Sequence, residues 1–358
     1  MSRYIRRSVD AMNGYLPGEQ PSSSDVIKLN TNENPYPPAP EVLQVVRGFD
    51  PQRLRRYPDP AANELRQCIA DLHGCAIENV IVGNGSDEIL ALCTRAFVES
   101  TGSVGYFTPS YSLYPILADI RDVEKRPVPL TRGFEWPEDF APGSSRLARY
   151  AASLFFMTNP NAPTGICHPK NTVAAFCHSF DGIVVLDEAY VDFADEDCVD
   201  IALNSANVLV ARSLSKSYSL AGARLGYALG SADLVGALIK IKDAYNIAAL
   251  TQQIGIAAIR QVAQMRENVT RIKTTRERLR AALEQRDFIV YPSQANFLWT
   301  RPAIMGAVDL FEFLGAENIL VRHFEGAETG NFIRISIGLD GEIDALIEAV
   351  DRFIAEQA

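Results

Sequence analysis

Apolar and polar positions follow two regular patterns along the chain. Short apolar runs such as "NVIVGN", "SVGYF", "SLFFMTN", "GIVVLDEAY", "NVLVARS" and "LGYALG" lack polar alternation, which is typical of strands buried on both faces of a sheet. Segments with helical apolar spacing lie between them, including "GSDEILALCTRAFVE", for which Ser86 or Asp87 is the predicted N-cap. Strands alternating with helices predict an α/β fold with a mostly parallel sheet between helices.

Three regions of the chain differ in their patterns. Residues 1–35 are rich in Pro, Ser and Asn and contain several aromatic residues, so we predict an arm that lies against the rest of the protein. Residues 36–260 contain the apolar runs and form the predicted large α/β domain. Residues 261–358 begin inside a long helical stretch and continue through "FIVYPSQANFLWTR", "ILVRHF" and "NFIRISIG", which predicts a smaller α+β domain.

Composition excludes several classes of protein. The formal charge of −10 would repel a nucleic-acid backbone, and no apolar run is long enough for a membrane helix. The six cysteines have no regular spacing and the N-terminus lacks the apolar region of a signal peptide, so we expect reduced thiols and a cytoplasmic protein. With four histidines and no clustered metal-ligand motif, we expect no metal site.

Two of the apolar runs end in residues that can carry chemistry. "IVVLDEAY" places Asp187 at the end of a strand and Tyr190 just beyond it, although Asp187 could equally cap the next helix. "VLVARSLSKS" places Ser213, Ser215 and Lys216 at the same edge of the sheet. A lysine held near other cations or in a dry pocket has a lowered pKa and can form a Schiff base, whereas an isolated lysine is usually just solvated.

A third strand end could bind an anion. In "GNGSDEIL", the backbone amides of Gly85, Ser86 and Asp87 open a helix, and such amides attract phosphate groups. Arg224, eight residues after Lys216, could close around the same anion with two hydrogen bonds. The motif is not the G-x-G-x-x-G of nucleotide-binding dehydrogenases, which makes that class a poor candidate.

Aromatic and basic residues elsewhere have two possible roles. Tyr111, after the strand "SVGYF", could stack on a planar ligand or belong to the core. Arg322 and Arg334 lie in predicted strands, where an arginine usually forms a surface ion pair unless two of them converge on an anionic substrate.

Together these motifs resemble the fold type I pyridoxal-5′-phosphate (PLP) aminotransferases and, within them, the histidinol-phosphate aminotransferase family. The similarity extends over essentially the whole chain, in the order "LNTNENPYPPAP", "RYPDP", "GNGSDEI", "PSYSLY", "NPNAPTG", "LDEAY", "SLSKSYSLAGARLGY" and "IRISIG". It implies a seven-stranded sheet in the large domain and PLP as the cofactor. It also implies a ping-pong reaction in histidine biosynthesis, in which L-histidinol phosphate and 2-oxoglutarate give imidazole-acetol phosphate and glutamate.

The resemblance assigns a role to each candidate. Lys216 would bind the aldehyde of PLP and act as the base, Asp187 would stabilise the protonated pyridine nitrogen, and Tyr111 would stack on the ring. Tyr190 and an asparagine would contact the ring's phenolate oxygen. The residues assigned to the PLP phosphate are Gly85, Ser86, Asp87, Ser213, Ser215 and Arg224.

One motif departs from the family pattern. The family commonly reads N-P-T-G, and the asparagine before the proline contacts the phenolate oxygen, but this chain has Ala162 at that position. Either Asn161 takes over the contact or the contact is lost.

The remaining assignments concern the substrate and a second subunit. The arm would cover the active site, with Tyr15 and Asn32 near the substrate, and Arg322 and Arg334 would bind first the phosphate of histidinol phosphate and then the carboxylates of 2-oxoglutarate. Tyr57, in the "RYPD" motif, would reach the PLP phosphate of the neighbouring subunit, which implies a homodimer.

Three other functions known among proteins of this general type are alternatives to this one. An aromatic amino-acid aminotransferase or a threonine-phosphate decarboxylase would share the Lys216 site and differ in the substrate pocket. A PLP-binding sensor attached to a DNA-binding module is disfavoured, since the chain has no additional helix-turn-helix segment and no basic patch.

Overall fold

The structure is a computed structural model that describes residues 3–21 and 25–357. The predicted arm, residues 1–35, therefore includes residues 1–2 and 22–24, which lie outside the described part. The strands are β1 (Ile27–Lys28), β2 (Val80–Gly83), β3 (Ser103–Thr108), β4 (Glu124–Pro129), β5 (Leu154–Thr158), β6 (Ile183–Asp187), β7 (Val208–Ser213), β8 (Gly226–Gly230), β9 (Phe288–Val290), β10 (Phe297–Pro302), β11 (Ile319–Leu320), β12 (Arg322–His323) and β13 (Ile333–Ser336).

The helices lie between and around these strands. They are α1 (Arg7–Ala11), α2 (Pro40–Gly48), α3 (Asn63–His73), α4 (Ser86–Phe97), α5 (Leu113–Arg121), α6 (Ser145–Ala148), α7 (Lys170–Ser179), α8 (Val199–Asn204), α9 (Ala232–Ile241), α10 (Ala249–Arg260), α11 (Val262–Glu284), α12 (Ala307–Ala316) and α13 (Asp340–Gln357). None of the helices in the described part is long and apolar enough to cross a membrane.

A seven-stranded sheet forms the centre of the larger unit. Its strand order is β2-β8-β7-β6-β5-β3-β4, and every pairing is parallel except those of β8, which is antiparallel to both neighbours. Alternate residues of β6 show why the apolar runs lack polar alternation: Val184 and Leu186 pack on one face, and Val185 packs on the other. Burial of each such side chain contributes about 1.5–3 kcal/mol, so helices cover both faces. The predicted mostly parallel sheet is confirmed.

A smaller antiparallel sheet follows in the C-terminal part of the chain. Its order is β12-β13-β10-β9, and α11, α12 and α13 pack around it. A separate two-stranded parallel pair joins β1 to β11, with Ile27 opposite Ile319. The last part of the predicted arm therefore pairs with the smaller unit. The division into residues 1–35, 36–260 and 261–358 stays a prediction.

The start of α4 differs from the predicted one. Neither Ser86 nor Asp87 is the N-cap, because the helix already begins at Ser86 and Gly85 precedes it as the cap. Gly85 has a φ of 83°, a region that residues with a side chain rarely adopt, and an added Cβ would lie 2.5 Å from Nη2 of Arg224. A glycine cap thus lets Arg224 approach the first turn of α4.

Candidate active site

A pocket of about 260 Å³ lies between the two sheets. The carboxyl ends of β5, β6 and β7 form its inner end, as expected for a parallel sheet, and β12, β13 and the arm form its outer end. The structure brings thirteen of the predicted site residues to this pocket: Tyr15, Asn32, Ser86, Asp87, Tyr111, Asp187, Tyr190, Ser213, Ser215, Lys216, Arg224, Arg322 and Arg334. The predicted residues Gly85, Asn161 and Tyr57 do not line it.

Lys216 lies in the loop after β7 with its amine in the pocket. Its Nζ donates to the carbonyl oxygen of Thr31 at 2.9 Å. Asn34, which the sequence did not single out, fixes the lysine's backbone, since its Nδ2 donates to the carbonyl oxygens of Lys216 and Ser217 at 3.0 Å each. Burial, reinforced by the positive charge of Arg334, lowers the pKa of Lys216 to about 8. A substantial neutral fraction of the amine is therefore present near neutral pH.

Asp187 ends β6, the strand next to β7, and is almost fully buried. Its Oδ2 accepts a hydrogen bond from Oη of Tyr114 at 2.9 Å, and its Oδ1 accepts one from the backbone N–H of Ala189 at 3.1 Å. Burial raises the pKa of Asp187 to about 6, and these two hydrogen bonds oppose the rise. The carboxylate is thus mainly ionised at neutral pH and can hold a cation.

Tyr114 is a site residue that the sequence reading missed. It lies three residues after Tyr111, on the next turn of the chain, in the motif "PSYSLY". Its ring is fully buried and stacks on Phe156 with ring centres 4.7 Å apart, so its hydroxyl is rigidly placed beside Asp187. Tyr111 precedes α5, which begins at Leu113, so the three-residue spacing of the two tyrosines gave no sign that Tyr114 would support Asp187.

The start of α4 and the loop after β7 form an anion cradle. The first amides of a helix have no partner inside the helix, so those of Ser86 and Asp87 can bind an anion. The hydroxyls of Ser213 and Ser215 line the same corner, and Nη1 of Arg224 lies 3.4 Å from Oγ of Ser215. Three kinds of donor converge here, which suits a phosphate group.

Gly85 does not offer its backbone amide to an anion, which was its predicted role. Its backbone N–H donates to the carbonyl oxygen of Gly83 at 2.8 Å, so this amide is engaged within the turn. The contribution of Gly85 is space: it leaves room for the Arg224 guanidinium next to the first turn of α4.

Two tyrosines flank the pocket. Oη of Tyr111 donates to Oδ1 of Asp87 at 3.1 Å, and Oδ2 of Asp87 in turn lies 3.4 Å from Nη2 of Arg224. The ring of Tyr15, from the arm, meets the Tyr111 ring edge-on with centres 6.1 Å apart. The Tyr111 ring is therefore held in a fixed position at the pocket wall.

Asn161 is engaged elsewhere. Its Nδ2 donates to the carbonyl oxygen of Pro109 at 3.2 Å and to Oγ1 of Thr164 at 3.0 Å, and its Oδ1 accepts from Oγ of Ser110 at 3.1 Å. The neighbouring Ala162 lines the pocket instead. The side chain of Asn161 therefore stabilises the loop around it and is not presented to a ligand.

Arg334 lies at the outer end of the pocket on β13. Its Nη2 donates to the carbonyl oxygen of Asn30 at 3.0 Å, and its guanidinium carbon lies 5.2 Å from the ring centres of both Phe297 and Phe324. Its Nε is buried and has no hydrogen-bond partner in the described part of the chain. The guanidinium is thus held between two rings with donor capacity to spare.

Arg322 lies directly opposite Arg334 on the neighbouring antiparallel strand β12. Like charges in this position repel each other, and the charge of Arg322 contributes to a lowered pKa of Arg334, for which burial is the main cause. Arg322 also holds the arm, because its Nη2 and Nη1 donate to the carbonyl oxygens of Leu16 and Pro17 at 3.1 and 3.4 Å. Two adjacent cations form an attractive position for a polyanion.

Asn32 and Tyr57 differ from the other predicted residues. Asn32 lines the pocket, but its side chain contacts Tyr190 and Ser336, both of them protein groups. Tyr57 lies outside the pocket, is 81% exposed, and stacks on Tyr245 with ring centres 4.3 Å apart.

The inner end of the pocket thus combines a reactive amine, a buried carboxylate and an anion cradle, and the outer end holds two arginines. Residues 24–350 match the family model described as aminotransferase class I and II, and the chain belongs to that class. Its relatives define the family further. The histidinol-phosphate aminotransferase of Chromohalobacter salexigens is 43% identical and covers 98% of this chain and 99% of its own, so the chain belongs with the histidinol-phosphate aminotransferases.

Two further relatives agree. Histidinol-phosphate aminotransferase 1 of Nostoc sp. is 39% identical, and the match covers 98% of each chain. Among solved structures, histidinol-phosphate aminotransferase from Sinorhizobium meliloti, in complex with pyridoxal-5′-phosphate, superposes with a TM-score of 0.91 at 26% identity and covers 100% of this chain and 99% of its own. The resemblance found in the sequence, both for the fold and for the family, is confirmed.

Proposed function

We propose that this protein is a PLP-dependent histidinol-phosphate aminotransferase that transfers the amino group of L-histidinol phosphate to 2-oxoglutarate in histidine biosynthesis. The main observation is the separation of charges along the pocket. Lys216 and Asp187 lie at the inner end with the anion cradle, and Arg322 and Arg334 face each other at the outer end. The inner end suits a cofactor that stays bound, and the outer end suits a substrate that carries an anion far from its amine.

The inner end fits PLP in three respects. The amine of Lys216 can bind an aldehyde, and the ionised Asp187 keeps lone pairs for a protonated pyridine nitrogen beside its bonds to Tyr114 and Ala189. The cradle at the start of α4 matches the phosphate group, and Gly85 leaves room for the Arg224 guanidinium beside it. When bound, PLP would supply an aldehyde carbon that can accept the substrate's amino group and a ring that can accept electrons.

Lys216 is the group that moves a proton. With PLP bound, its Nζ would take the proton from Cα of the substrate and deliver it to the former aldehyde carbon of the cofactor, and a pKa of about 8 suits both transfers near neutral pH. Asp187 would stabilise the positive charge of the pyridine nitrogen, and Tyr111 would restrain the ring position, since both line the pocket. The arm and Tyr15 cover the outer end and exclude water.

Arg322 and Arg334 bind the anions of both substrates. A phosphate dianion relieves the repulsion between the two guanidinium groups, and the same planar forks bind the carboxylates of 2-oxoglutarate and glutamate. L-Histidinol phosphate has no carboxylate, so its phosphate is the only anion that this pair can recognise in the first half-reaction.

A half-reaction tests the proposal. The purified PLP-loaded protein is mixed, without a keto acid, with L-histidinol phosphate, L-phenylalanine or L-threonine phosphate, and the visible absorbance of the bound cofactor and the release of CO₂ are followed. We expect rapid conversion with L-histidinol phosphate alone. Equal rates with phenylalanine would identify an aromatic amino-acid aminotransferase, and CO₂ release from threonine phosphate would identify a decarboxylase. Lys216→Ala is the control that should not react.

The proposal includes a homodimer in which Tyr57 completes the neighbouring site. Tyr57 is exposed and stacks on Tyr245, and Leu54, three residues earlier in the chain, is exposed as well, which suits an interface between subunits. Mixing Lys216→Ala and Tyr57→Ala subunits tests it. A mixed dimer has one site with both native residues, so we expect PLP affinity and activity that neither variant has alone. If mixing restores nothing, Tyr57 acts within its own chain or not at all.

We also propose that the protein works in the cytoplasm. All six cysteines are free thiols, which agrees with a reducing compartment. Fractionation of cells that express the tagged protein would test this location.

A further inference from the structure

We propose that Asn32 and Ser336 form a positioning pair that fixes the direction of the Tyr190 hydroxyl proton, so that Tyr190 donates a hydrogen bond into the pocket. This inference rests on the proposed function, because the acceptor in the pocket would be the ring oxygen of PLP. Asn32 then has a role different from the substrate contact predicted from the sequence.

The direction of the hydrogen bonds is set by a backbone N–H. The amide nitrogen of Asn32 can only donate, and it lies 2.8 Å from Oγ of Ser336, which must therefore accept. The Ser336 hydroxyl proton is left to point elsewhere, and Oδ1 of Asn32 accepts it at 2.8 Å. If the amide were reversed, the Ser336 hydroxyl would accept from both groups and its buried proton would have no acceptor among the described residues, so the Asn32 oxygen is the atom that faces Ser336.

The orientation of that amide determines the role of Tyr190. With Oδ1 of Asn32 on Ser336, Nδ2 faces Tyr190 and donates to its Oη at 2.9 Å. Among the described residues, this is the one hydrogen bond made by Oη of Tyr190, and the oxygen is its acceptor. Its own proton is therefore available for an acceptor in the pocket, whose wall Tyr190 forms.

The loss of the usual asparagine makes this donor more important. Ala162 has no polar group to offer at the pocket wall, and the amide of Asn161 is used within its own loop. Tyr190 is then the residue left, among those assigned to the ring oxygen, that can donate a proton to it.

The pair is built to be rigid. Asn32 and Ser336 are 1% and 2% exposed, and the carbonyl oxygen of Asn32 accepts from Nδ2 of Asn296 at 3.0 Å. Ser336 lies two residues after Arg334 on β13. The strand that carries a substrate-binding arginine therefore also carries the first group of the relay that orients Tyr190.

Asn32→Asp is the direct test. The backbone of Asn32 has a φ of 57°, which asparagine and aspartate both tolerate, so the shape and backbone are kept. A carboxylate can only accept, so the Tyr190 proton turns away from the pocket. Loss of a donor to an ionised ring oxygen should raise the pH midpoint of the visible absorbance change by about one to two units and weaken PLP binding about tenfold or more.

Two further variants separate this effect from the added charge. Asn32→Gly keeps the backbone conformation and removes the donor without adding charge, and we expect a smaller upward shift in the same direction. In a Tyr190→Phe background, Asn32→Asp should shift the midpoint much less than in the native protein. An equal shift in both backgrounds, or no shift with Asn32→Asp, would overturn the inference.

Measurements on the unmodified protein distinguish a failure of the positioning pair from a failure of the proposed function. If it shows no PLP absorbance and no half-reaction, the proposed function has failed. If it shows both and the Asn32 variants titrate like the unmodified protein, only the positioning pair is wrong. Equilibrium dialysis of PLP gives the affinity independently of turnover.

Discussion

The inner and outer ends of the pocket hold their charged groups in different ways. At the inner end, Lys216 and Asp187 lie at the ends of adjacent strands of one sheet. Tyr114 of the same large unit holds Asp187, and the arm contributes one contact, the Thr31 carbonyl oxygen that accepts from Lys216. At the outer end, Arg322 and Arg334 come from the small sheet and are bound to backbone carbonyls of the arm. A rigid inner end suits a cofactor that remains in place, whereas an outer end assembled from separate segments suits substrates that must exchange.

The largest effect is expected when the reactive amine of the inner end is removed. Lys216→Ala should reduce turnover by at least about 10⁴-fold, because the variant lacks both the amine that binds the aldehyde and the proton carrier. Steady-state assays and the visible spectrum with PLP measure this. A variant that still transaminates at a tenth of the native rate would contradict the assignment of the inner end.

A second variant tests the buried carboxylate. Asp187→Asn keeps the shape and removes the charge, and since an unpaired buried cation is costly, kcat should fall by about 10²- to 10³-fold. Asp187→Glu is the matched control, which keeps the charge and should retain more activity. Equal losses in both variants would mean that the position and not the charge of Asp187 matters.

Substitutions at the outer end should reduce activity less than those at the inner end, and they should affect the reactions of both substrates. Arg334→Ala should lower kcat/KM by about 10- to 100-fold for L-histidinol phosphate and for 2-oxoglutarate alike, since one guanidinium serves both. Arg334→Lys keeps the charge but loses the planar, two-donor geometry of the guanidinium. Its kcat/KM should therefore lie between that of the native protein and that of Arg334→Ala. A loss confined to one substrate would show that the two anions do not share this site.

The last prediction concerns stability instead of activity, and its effect should be confined to the inner end. The folded protein lowers the pKa of Lys216 from 10.5 to about 8, so protonated Lys216 destabilises the fold below pH 8, and this cost disappears as the pH rises towards 10.5. The cofactor-free Lys216→Met variant should therefore be more stable at pH 7 by at most about 3 kcal/mol. Urea unfolding between about pH 7 and pH 10.5 would show the difference in unfolding free energy between Lys216→Met and the native protein decreasing with pH. The difference between Arg322→Met and the native protein should not decrease in this way.

The sequence predicted the inner end better than the outer one. Asp187, Ser213, Ser215 and Lys216 all lie at or just beyond the end of an apolar run, and parallel strands bring their carboxyl ends together whatever the details of packing. Tyr114 and Asn34 were overlooked because each supports another residue, and a single chain gives no local sign of that support.

The differences between the predicted and the observed contacts have a common physical origin. The pattern "NPNAPTG" gave no indication that Asn161 would turn towards Thr164 and Pro109, and the amide of Gly85 was assigned to an anion although a tight turn uses it. The contacts of Asn32 with Ser336 join positions 304 residues apart. Local periodicity predicts elements, but the direction of a polar side chain depends on which distant segment packs against it.

The pairing of β1 with β11 has a consequence for how the protein is made. A ribosome releases residues 27–28 long before residues 319–320, so this early segment has no partner until nearly the whole chain has been synthesised. Closing so large a loop costs entropy that only late, cooperative packing repays. We expect the amides of β1 to gain protection after those of β6 and β7 in pulse-labelled hydrogen exchange during refolding, so that the active site is completed among the last events of folding.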